Sequence, residues 1–340
     1  MKSFPTLKFH SLIQENEVNL WKWETGSTST DQDEEPTQVF EPQLMASFNH
    51  GFGDVNEIQF LTNDLLAIAS SDGTVTLLKT DVDNFGGFQS SFKFSKANQW
   101  TKLHSSCNSL GINGENILTV GKEGKMHILN GRRSNPIRSF DNADSGYISD
   151  AIFIKQEQAV SANGRGQVKV WDLRNGTETP TKVCHLAMDL VGVTSLTKHP
   201  TQPHVVVGGC SNGVLAFWDL RGQPDYPLSV VKAHSDAISE VQFHEQQPDH
   251  LFSCSQSGDT WHWNGSNATK NPNSILGGQA KPLGSTNCFW LNSELVKNRV
   301  DTKPLMANQA LPINSMSILG SSVLVAGDAE VIFYIADVGI

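Results

Sequence analysis

Short apolar stretches alternating with small or polar residues recur along the chain. The two clearest are GQVKVWDLR, residues 166–174, and NGVLAFWDLR, residues 212–221, where a glycine turn leads into alternating apolar residues and a Trp-Asp pair. Alternation with a period of two is typical of a half-buried β-strand. We therefore take the fifth residue after the turn glycine as the marker of a repeated strand.

The marker recurs at regular spacing. The predicted markers are Trp21, Leu78, Leu129, Trp171, Trp218, Trp263 and Tyr334. A second alternating strand precedes six of them by 21 to 25 residues, beginning at Val55, Cys107, Ile148, Val193, Ile238 and Ile313. An apolar strand lies between the two each time, and an outer strand follows the marker strand in most units. Such four-stranded units, repeated about every 40–50 residues, are typical of a WD-repeat β-propeller.

The repeat predicts an all-β fold, a seven-bladed WD40-type β-propeller in which residues 1–340 form a single domain. A lone blade exposes two apolar faces, so blades must stack around an axis to bury them. The repeats are degenerate, because only two keep the Trp-Asp pair. The His-Ser-Trp side-chain network is predicted best in the sixth blade, at His234, Ser253 and Trp263, with Ser257 where an aspartate is usual.

The pattern breaks at the first and last blades. The spacing places the first inner strand before residue 1, leaving residues 7–12, 18–23 and 39–48 as the second, third and outer strands. The chain stops at Ile340, directly after the seventh marker strand. We therefore expect the first blade and the ring closure to be incomplete, with open strand edges, or the sequence to lack part of its N-terminal region.

A second break lies between the sixth and seventh blades. Residues 265–309 form a loop-rich insertion, in which residues 286–291 are predicted to supply the sixth outer strand. Its Asn, Gly and Ser content favours a mobile loop over a binding loop.

Charge and cysteine content narrow the class of partner. The formal net charge is -10, with 35 acidic and 25 basic residues, which disfavours direct nucleic-acid binding. Five widely spaced cysteines without a CxxC motif favour a reducing compartment. The sequence shows neither a signal-peptide core nor an apolar run long enough to span a bilayer. We expect a soluble intracellular protein with protein partners, and neither membrane insertion nor a small-molecule substrate.

Three aspartates in SFDNADSGYISDAIF, residues 139–153, form the first candidate for chemistry. They are Asp141, Asp144 and Asp150. A calcium-loop interpretation fails because Ala143 and Ser145 stand at ligand positions and Ile152 replaces the closing glutamate. Asp150 aligns instead with Glu57 and Glu240 of other repeats. It is predicted to be a solvated structural residue facing the central channel or a loop rim.

The remaining candidates give no support for an enzyme. GCSNG, residues 209–213, matches the nucleophile pattern around Ser211, but that motif needs a strand followed by a helix, and here two strands flank it. His244, His250 and Cys254 lack the short paired spacings of a zinc site. No catalytic, cofactor-binding or metal-ligating residue is predicted, and no cofactor.

Three longer tracts carry a family resemblance. Residues 116–130, 139–153 and above all 228–264, LSVVKAHSDAISEVQFHEQQPDHLFSCSQSGDTWHWN, resemble the corresponding tracts of the forty-three-kilodalton WD-repeat nucleoporin family of the Y-shaped, outer-ring scaffold complex of the nuclear pore. The resemblance is strong from about residue 112 to 264 and weaker elsewhere. That family carries a longer N-terminal segment supplying the first inner strand, and this sequence departs from it there.

The resemblance implies a non-enzymatic scaffold subunit at the nuclear envelope, supporting pore assembly and the transport of mRNA and protein. Its implied partners are the helical short-arm scaffold nucleoporin and other subunits of the Y-shaped complex, with a kinetochore role in mitosis. An alternative rests on WDLR, which occurs twice and resembles the WDxR box of cullin-4 ubiquitin ligase substrate receptors. In that case Arg174 or Arg221 would contact the ligase adaptor; the other interpretation is that both are solvated turn residues.

Overall fold

The strands of the protein form antiparallel sheets built from consecutive segments. The computed structural model describes residues 6–12, 15–22, 42–51, 53–80, 88–94, 105–133, 135–174, 176–186, 191–270, 288–328 and 331–340. Within these ranges there are five four-stranded and two three-stranded sheets. No helix in these ranges is long and apolar enough to cross a bilayer. The predicted all-β propeller is confirmed.

Six sheets are blades, each beginning with an inner strand at a central cavity. The inner strands are β4 (Val55–Thr62), β8 (Cys107–Asn113), β12 (Ile148–Lys155), β16 (Val193–Lys198), β20 (Ile238–Phe243) and β24 (Ile313–Leu319). The second strands are β5 (Leu65–Ser70), β9 (Asn116–Gly121), β13 (Gln158–Asn163), β17 (Val205–Cys210), β21 (His250–Ser255) and β25 (Ser322–Gly327).

The marker strands come third and the outer strands last. The third strands are β6 (Val75–Thr80), β10 (Met126–Asn130), β14 (Gln167–Asp172), β18 (Val214–Asp219), β22 (Thr260–Asn264) and β26 (Ile332–Ile335). The outer strands are β7 (Phe88–Phe94), β11 (Arg138–Phe140), β15 (Lys182–His185), β19 (Ser229–Lys232) and β23 (Asp301–Pro304). The second strands are the most deeply buried, since both faces of each blade pack on neighbours.

The first sheet departs from this plan in the predicted way. It has three strands, β1 (Thr6–Leu12), β2 (Glu15–Lys22) and β3 (Gln43–Gly51), near the segments predicted as second, third and outer strands. Residues 23 and 39–41 of those predictions lie outside the described residues. The sheet packs beside the blade of β4, with Val18 and Phe48 against Leu66, Ile68 and Leu78. Six blades therefore border the cavity, and the count of seven stays a prediction.

Two predicted positions are wrong. Residues 289–291 form a 3₁₀ helix, Phe289–Leu291, and the sixth outer strand is β23. In the last blade, Ile335 pairs with Val323 just as Trp263 pairs with Leu251 in the sixth, so Ile335 occupies the marker position. The predicted marker Tyr334 lies one residue earlier, on the exposed face. The paired residues are 12 positions apart in both blades, but Glu330 stands five residues before Ile335 where the other blades have the turn glycine, so counting from a glycine turn misplaces the marker.

Part of the insertion is helical and packed. Two helices, α1 (Ser266–Lys270) and α2 (Ser293–Arg299), flank residues outside the described ranges. Asn292 caps α2 by accepting hydrogen bonds from the backbone N–H groups of Glu294 and Leu295. Trp290 is fully buried and stacks on Phe217, with ring centroids 5.5 Å apart. Trp290 was predicted in an outer strand and lies in the 3₁₀ helix instead, while α2, in the part predicted as a loop, is helical and buries Leu295 and Val296.

Candidate functional site

A central cavity lies within the described part of the chain. It has a volume of about 850 Å³ and is lined by residues of all six inner strands. In each inner strand the register of pairing shifts between the first and third residues, which is a β-bulge. The bulge frees the second and third residues to reach the next blade. We call these residues the inter-blade belt.

The third residue of the belt alternates between an acid and a serine. In chain order these residues are Glu57, Ser109, Asp150, Ser195, Glu240 and Ser315. Each acid accepts a hydrogen bond from a backbone N–H of the following blade. The bonds join Leu110 N to Glu57 (2.6 Å), Leu196 N to Asp150 (2.5 Å) and Met316 N to Glu240 (2.8 Å).

Two serines continue the series where an acid is missing. Ser109 donates its hydroxyl to Asp150 at 2.6 Å, and Ser195 accepts the N–H of Val241 at 3.1 Å. Asp150 thus faces the cavity, as predicted, but it is half-buried and bonded to the blades on both sides rather than solvated. The acids act as structural clamps between blades.

The second residue of the belt also contacts the following blade, but its side chain is a hydrogen-bond donor. Its side chain bonds the carbonyl of the first inner-strand residue in the next blade. The donor and acceptor pairs are Asn56 and Cys107, Asn108 and Ile148, Ser149 and Val193, and Thr194 and Ile238. The fifth step is missing, because Ser239 has no hydrogen-bond partner among the described residues.

Burial shifts the ionisation of the belt acids. It raises the pKa of Glu240 to about 7, although the hydrogen bond from Met316 opposes the shift. Burial also raises the pKa of Glu57 and of Asp150 above the usual carboxyl range, and the charge of Asp150 adds to the effect at Glu57. Protonation of these groups is therefore linked to the packing of the blades.

The predicted side-chain network of the sixth blade is present, with a different acid. His234 bonds Ser253 through Nε2 at 2.7 Å, and Trp263 donates its indole N–H to Ser253 at 2.9 Å. The carboxylate on His234 Nδ1 comes from Asp259, at 2.6 Å, and not from the position of Ser257. A proton on Nδ1 satisfies all four groups. Ser253 is fully buried, so this Ser-His-Asp arrangement joins strands and has no access to a substrate.

The other candidate residues occupy structural positions. Ser211 is exposed in the turn between β17 and β18, and its hydroxyl accepts the N–H of Gly192. Asp144 pairs with Lys169 at 2.7 Å and accepts a hydrogen bond from Asn163, which ties its loop to the next blade. Among the described residues, no group of three or more His, Cys, Asp or Glu side chains is arranged to hold a metal ion.

The histidines and cysteines singled out in the sequence face the protein interior. His250 and His262 stack and bond each other at 2.7 Å, and burial lowers the pKa of both. His244 bonds the carbonyl of Gly320 in the next blade. Cys254 is buried as a free thiol, as are the other four cysteines.

The two WDLR arginines fold back on their own strands. Arg174 makes two bonds to Asp172, at 3.0 and 2.7 Å, and Arg221 repeats the arrangement on Asp219 at 3.0 and 2.8 Å. Both side chains are about half exposed, at 60% and 48%. In both WDLR motifs, therefore, the arginine pairs with the aspartate two residues earlier, at the end of the marker strand.

Comparison with known proteins gives relatives over nearly the whole chain. Nucleoporin Nup43 of Mus musculus is 30% identical, and Nucleoporin Nup43 of Homo sapiens 29%, each match covering 94% of this chain and 88% of the relative. Nuclear pore complex protein nup43 of Dictyostelium discoideum is 27% identical over 42% of this chain and 33% of its own. No family model matches.

Proposed function

Since this chain belongs to the Nup43 family of nucleoporins, we propose that it is a non-enzymatic scaffold subunit of the outer ring of the nuclear pore complex. The carrying observation is similarity to Nup43 proteins over 94% of the chain. In this role it binds other proteins, supports pore assembly, and so supports the transport of mRNA and protein across the nuclear envelope.

The inter-blade belt supports a structural role. Its acids and hydroxyls, such as Glu57 and Ser149, are engaged in holding neighbouring blades together. A propeller whose inner strands are joined in this way suits a protein that offers edges and loops to partners. By the family resemblance, those partners are the helical short-arm scaffold nucleoporin and further subunits of the Y-shaped complex. The same complex would bring the protein to kinetochores in mitosis.

We also infer a ring of seven positions. The first sheet packs on the blade of β4 through Val18 and Phe48, much as later blades pack on one another. It thereby takes a seventh position, with three strands described.

Imaging and pull-down test the assignment. A fluorescently tagged chain at its native expression level should mark the nuclear rim in interphase and kinetochores in mitosis. A mild pull-down followed by mass spectrometry should recover the Y-shaped complex. A diffuse signal and no nucleoporins in the pull-down would contradict the assignment, whereas rim staining without kinetochore staining would remove only the mitotic part.

The ligase alternative is tested in the same pull-down. Because Arg174 and Arg221 are held by Asp172 and Asp219, we expect Arg174→Ala and Arg221→Ala to leave the recovered proteins unchanged. Loss of a cullin-4 adaptor in either variant would instead favour the ligase role.

A further inference from the structure

The loop that connects β11 to β12 places an exposed serine against an arginine. The hydroxyl of Ser145 accepts a hydrogen bond from Nη1 of Arg165 at 2.9 Å. Arg165 is exposed as well, and it lies in the turn between β13 and β14 of the blade that the loop enters. In the described part of the chain, no carboxylate forms an ion pair with this arginine. Its positive charge therefore faces the serine without an anion of its own.

Both neighbours of the serine are held in place. The backbone N–H of Asp144 donates to the carbonyl of Gly124 at 2.8 Å, and the N–H of Gly146 donates to the carboxylate of Asp144 at 3.2 Å. The same carboxylate accepts a bond from Asn163 and pairs with Lys169, each at 2.7 Å. The charge of Asp144 is thus matched by that of Lys169, and the loop keeps the serine hydroxyl beside the arginine.

The equivalent loop of the sixth blade has the serine but lacks the arginine. Ser235 is exposed and lies three residues before its inner strand, as Ser145 does. In both loops the preceding residue donates its backbone N–H to the turn glycine of the blade before. Arg165 directly precedes the turn glycine of its own blade, whereas Ser257 holds that place in the sixth. The two loops therefore differ in the cation that faces the serine.

A guanidinium beside a hydroxyl is well placed to bind the phosphate ester of that hydroxyl. Its N–H groups form two parallel bonds to phosphate oxygens, and such charge-assisted bonds are stronger than the neutral bond present without phosphate. Nη2 of Arg165 also faces the loop, 3.9 Å from the point where a Cβ on Gly146 would stand. Phosphoserine carries a charge of about −1.5 to −2 near pH 7, which the arginine would offset.

We propose that Ser145 is a phosphorylation site and that Arg165 binds its phosphate. A protein serine kinase supplies the group from ATP: the bond between Oγ and the γ-phosphorus forms, the bond to the departing ADP breaks, and the hydroxyl proton passes to the base of the kinase. The modification replaces a neutral hydrogen bond between loop and turn by an ion pair, and it adds negative charge at this edge of the ring. The proposal is independent of the nuclear pore assignment.

Mass spectrometry tests the modification. The full chain is purified with phosphatase inhibitors from growing cells and from cells arrested in mitosis, and it is then digested. We expect a phosphopeptide that carries the group on Ser145 and that loses it on phosphatase treatment. Absence of phosphate from Ser145 in both preparations would overturn the proposal.

A second experiment tests the arginine with phosphoserine encoded genetically at position 145 of the full chain. Phosphorus NMR should show that the second pKa of the phosphate rises in Arg165→Gln, because the guanidinium favours the dianion. Alkaline phosphatase should remove the phosphate about threefold faster from the same variant, since Arg165 competes with the enzyme for the oxygens. Thermal unfolding of the unmodified variant checks that the exposed substitution leaves the fold intact.

The matched control is phosphoserine encoded at position 235, where Ser257 stands in place of the arginine. Its titration and its rate of dephosphorylation should be the same with and without Arg165→Gln. Equal titration and equal dephosphorylation of the group at position 145 in the two backgrounds would overturn the role of Arg165. An equal response at both positions would also contradict it, because it would trace the effect to net charge and not to contact.

Discussion

The marker tryptophans show how single residues adapt to a degenerate repeat. Trp171 and Trp263 donate their indole N–H groups to Ser161 and Ser253, both at 2.9 Å. In the fifth blade the corresponding residue is Gly208, and the indole N–H of Trp218 has no partner among the described residues. A Cβ added at Gly208 would lie 2.9 Å from the Trp218 ring. The indole therefore occupies space that a serine side chain would need.

Because of this contact, we predict that the fifth blade does not tolerate a side chain at Gly208, where two other blades carry a serine. Gly208→Ala should lower the free energy of unfolding by about 1–3 kcal/mol, because the added methyl overpacks against Trp218 and Val193. Denaturant unfolding measures the change. Gly222→Ala, where an added Cβ meets nothing within 4 Å, serves as control and should change stability by less than about 0.5 kcal/mol. An unchanged midpoint for Gly208→Ala would show that the indole can move aside.

At the scale of elements, the segment that follows the sixth blade acts as a wedge. Trp290 stacks on Phe217 of the fifth blade and meets Phe243 of the sixth edge-on, 5.7 Å away. Its indole N–H donates to the carbonyl of Pro248. The apolar residues of α2, Leu295 and Val296, pack in the same core cluster. Apolar burial against the fifth and sixth blades thus holds this part of the insertion in place.

The wedge predicts a large loss of stability on truncation. Trp290→Ala should cost about 3–5 kcal/mol, since it removes a fully buried aromatic ring that contacts two blades. Thermal unfolding together with proteolysis should show a lower melting temperature and faster cleavage near residues 288–299. The control is Leu311→Ala, at a side chain that is 47% exposed. A melting temperature equal to that of the wild type would mean that the segment does not hold the two blades together.

At the scale of the whole molecule, the belt turns a chain of similar sheets into a ring with a fixed order. Every acid in the belt contacts the blade that follows it, so successive inner strands are joined by directional bonds as well as by apolar packing. Its acids carry raised pKa values because the blades remove them from water. The stability of the ring should therefore depend on pH.

Glu240 offers the clearest test of that dependence. Its pKa is about 7 in the folded chain and near 4.5 when unfolded, so the folded state binds more protons between these values. The group's contribution to stability is complete below pH 4.5 and is lost as pH rises through 7. Glu240→Gln keeps an acceptor for Met316 without the charge. We expect its melting temperature, relative to wild type, to rise between pH 5 and pH 8.

Glu157→Gln, at a carboxylate that is 59% exposed, provides the control and should follow the wild-type pH profile. Parallel pH profiles for wild type and Glu240→Gln would exclude Glu240 as a source of the dependence.

The sequence by itself determined the propeller and the order of its strands, because apolar alternation and regular spacing follow from the burial of each blade between neighbours. The spacing located the first-residue positions of all six described inner strands, from Val55 to Ile313. It also predicted that the first sheet would lack an inner strand among the residues available to it. These features depend on local periodicity, which a single chain displays without reference to its three-dimensional contacts.

Only the tertiary structure decided which polar residues carry the blade contacts. Asp150 was visible as a repeat position, but its bonds to Ser109 and Leu196 join residues more than 40 positions apart. The repeat pattern placed the acid of the His-Ser-Trp network at Ser257. In the structure the carboxylate that reaches His234 belongs to Asp259. Trp290 was predicted to lie in an outer strand, and only the structure shows that it lies in a 3₁₀ helix and stacks on Phe217 of the fifth blade. Whether a side chain contacts the next blade depends on β-bulges and on the packing angle between blades. A local sequence pattern does not contain this information.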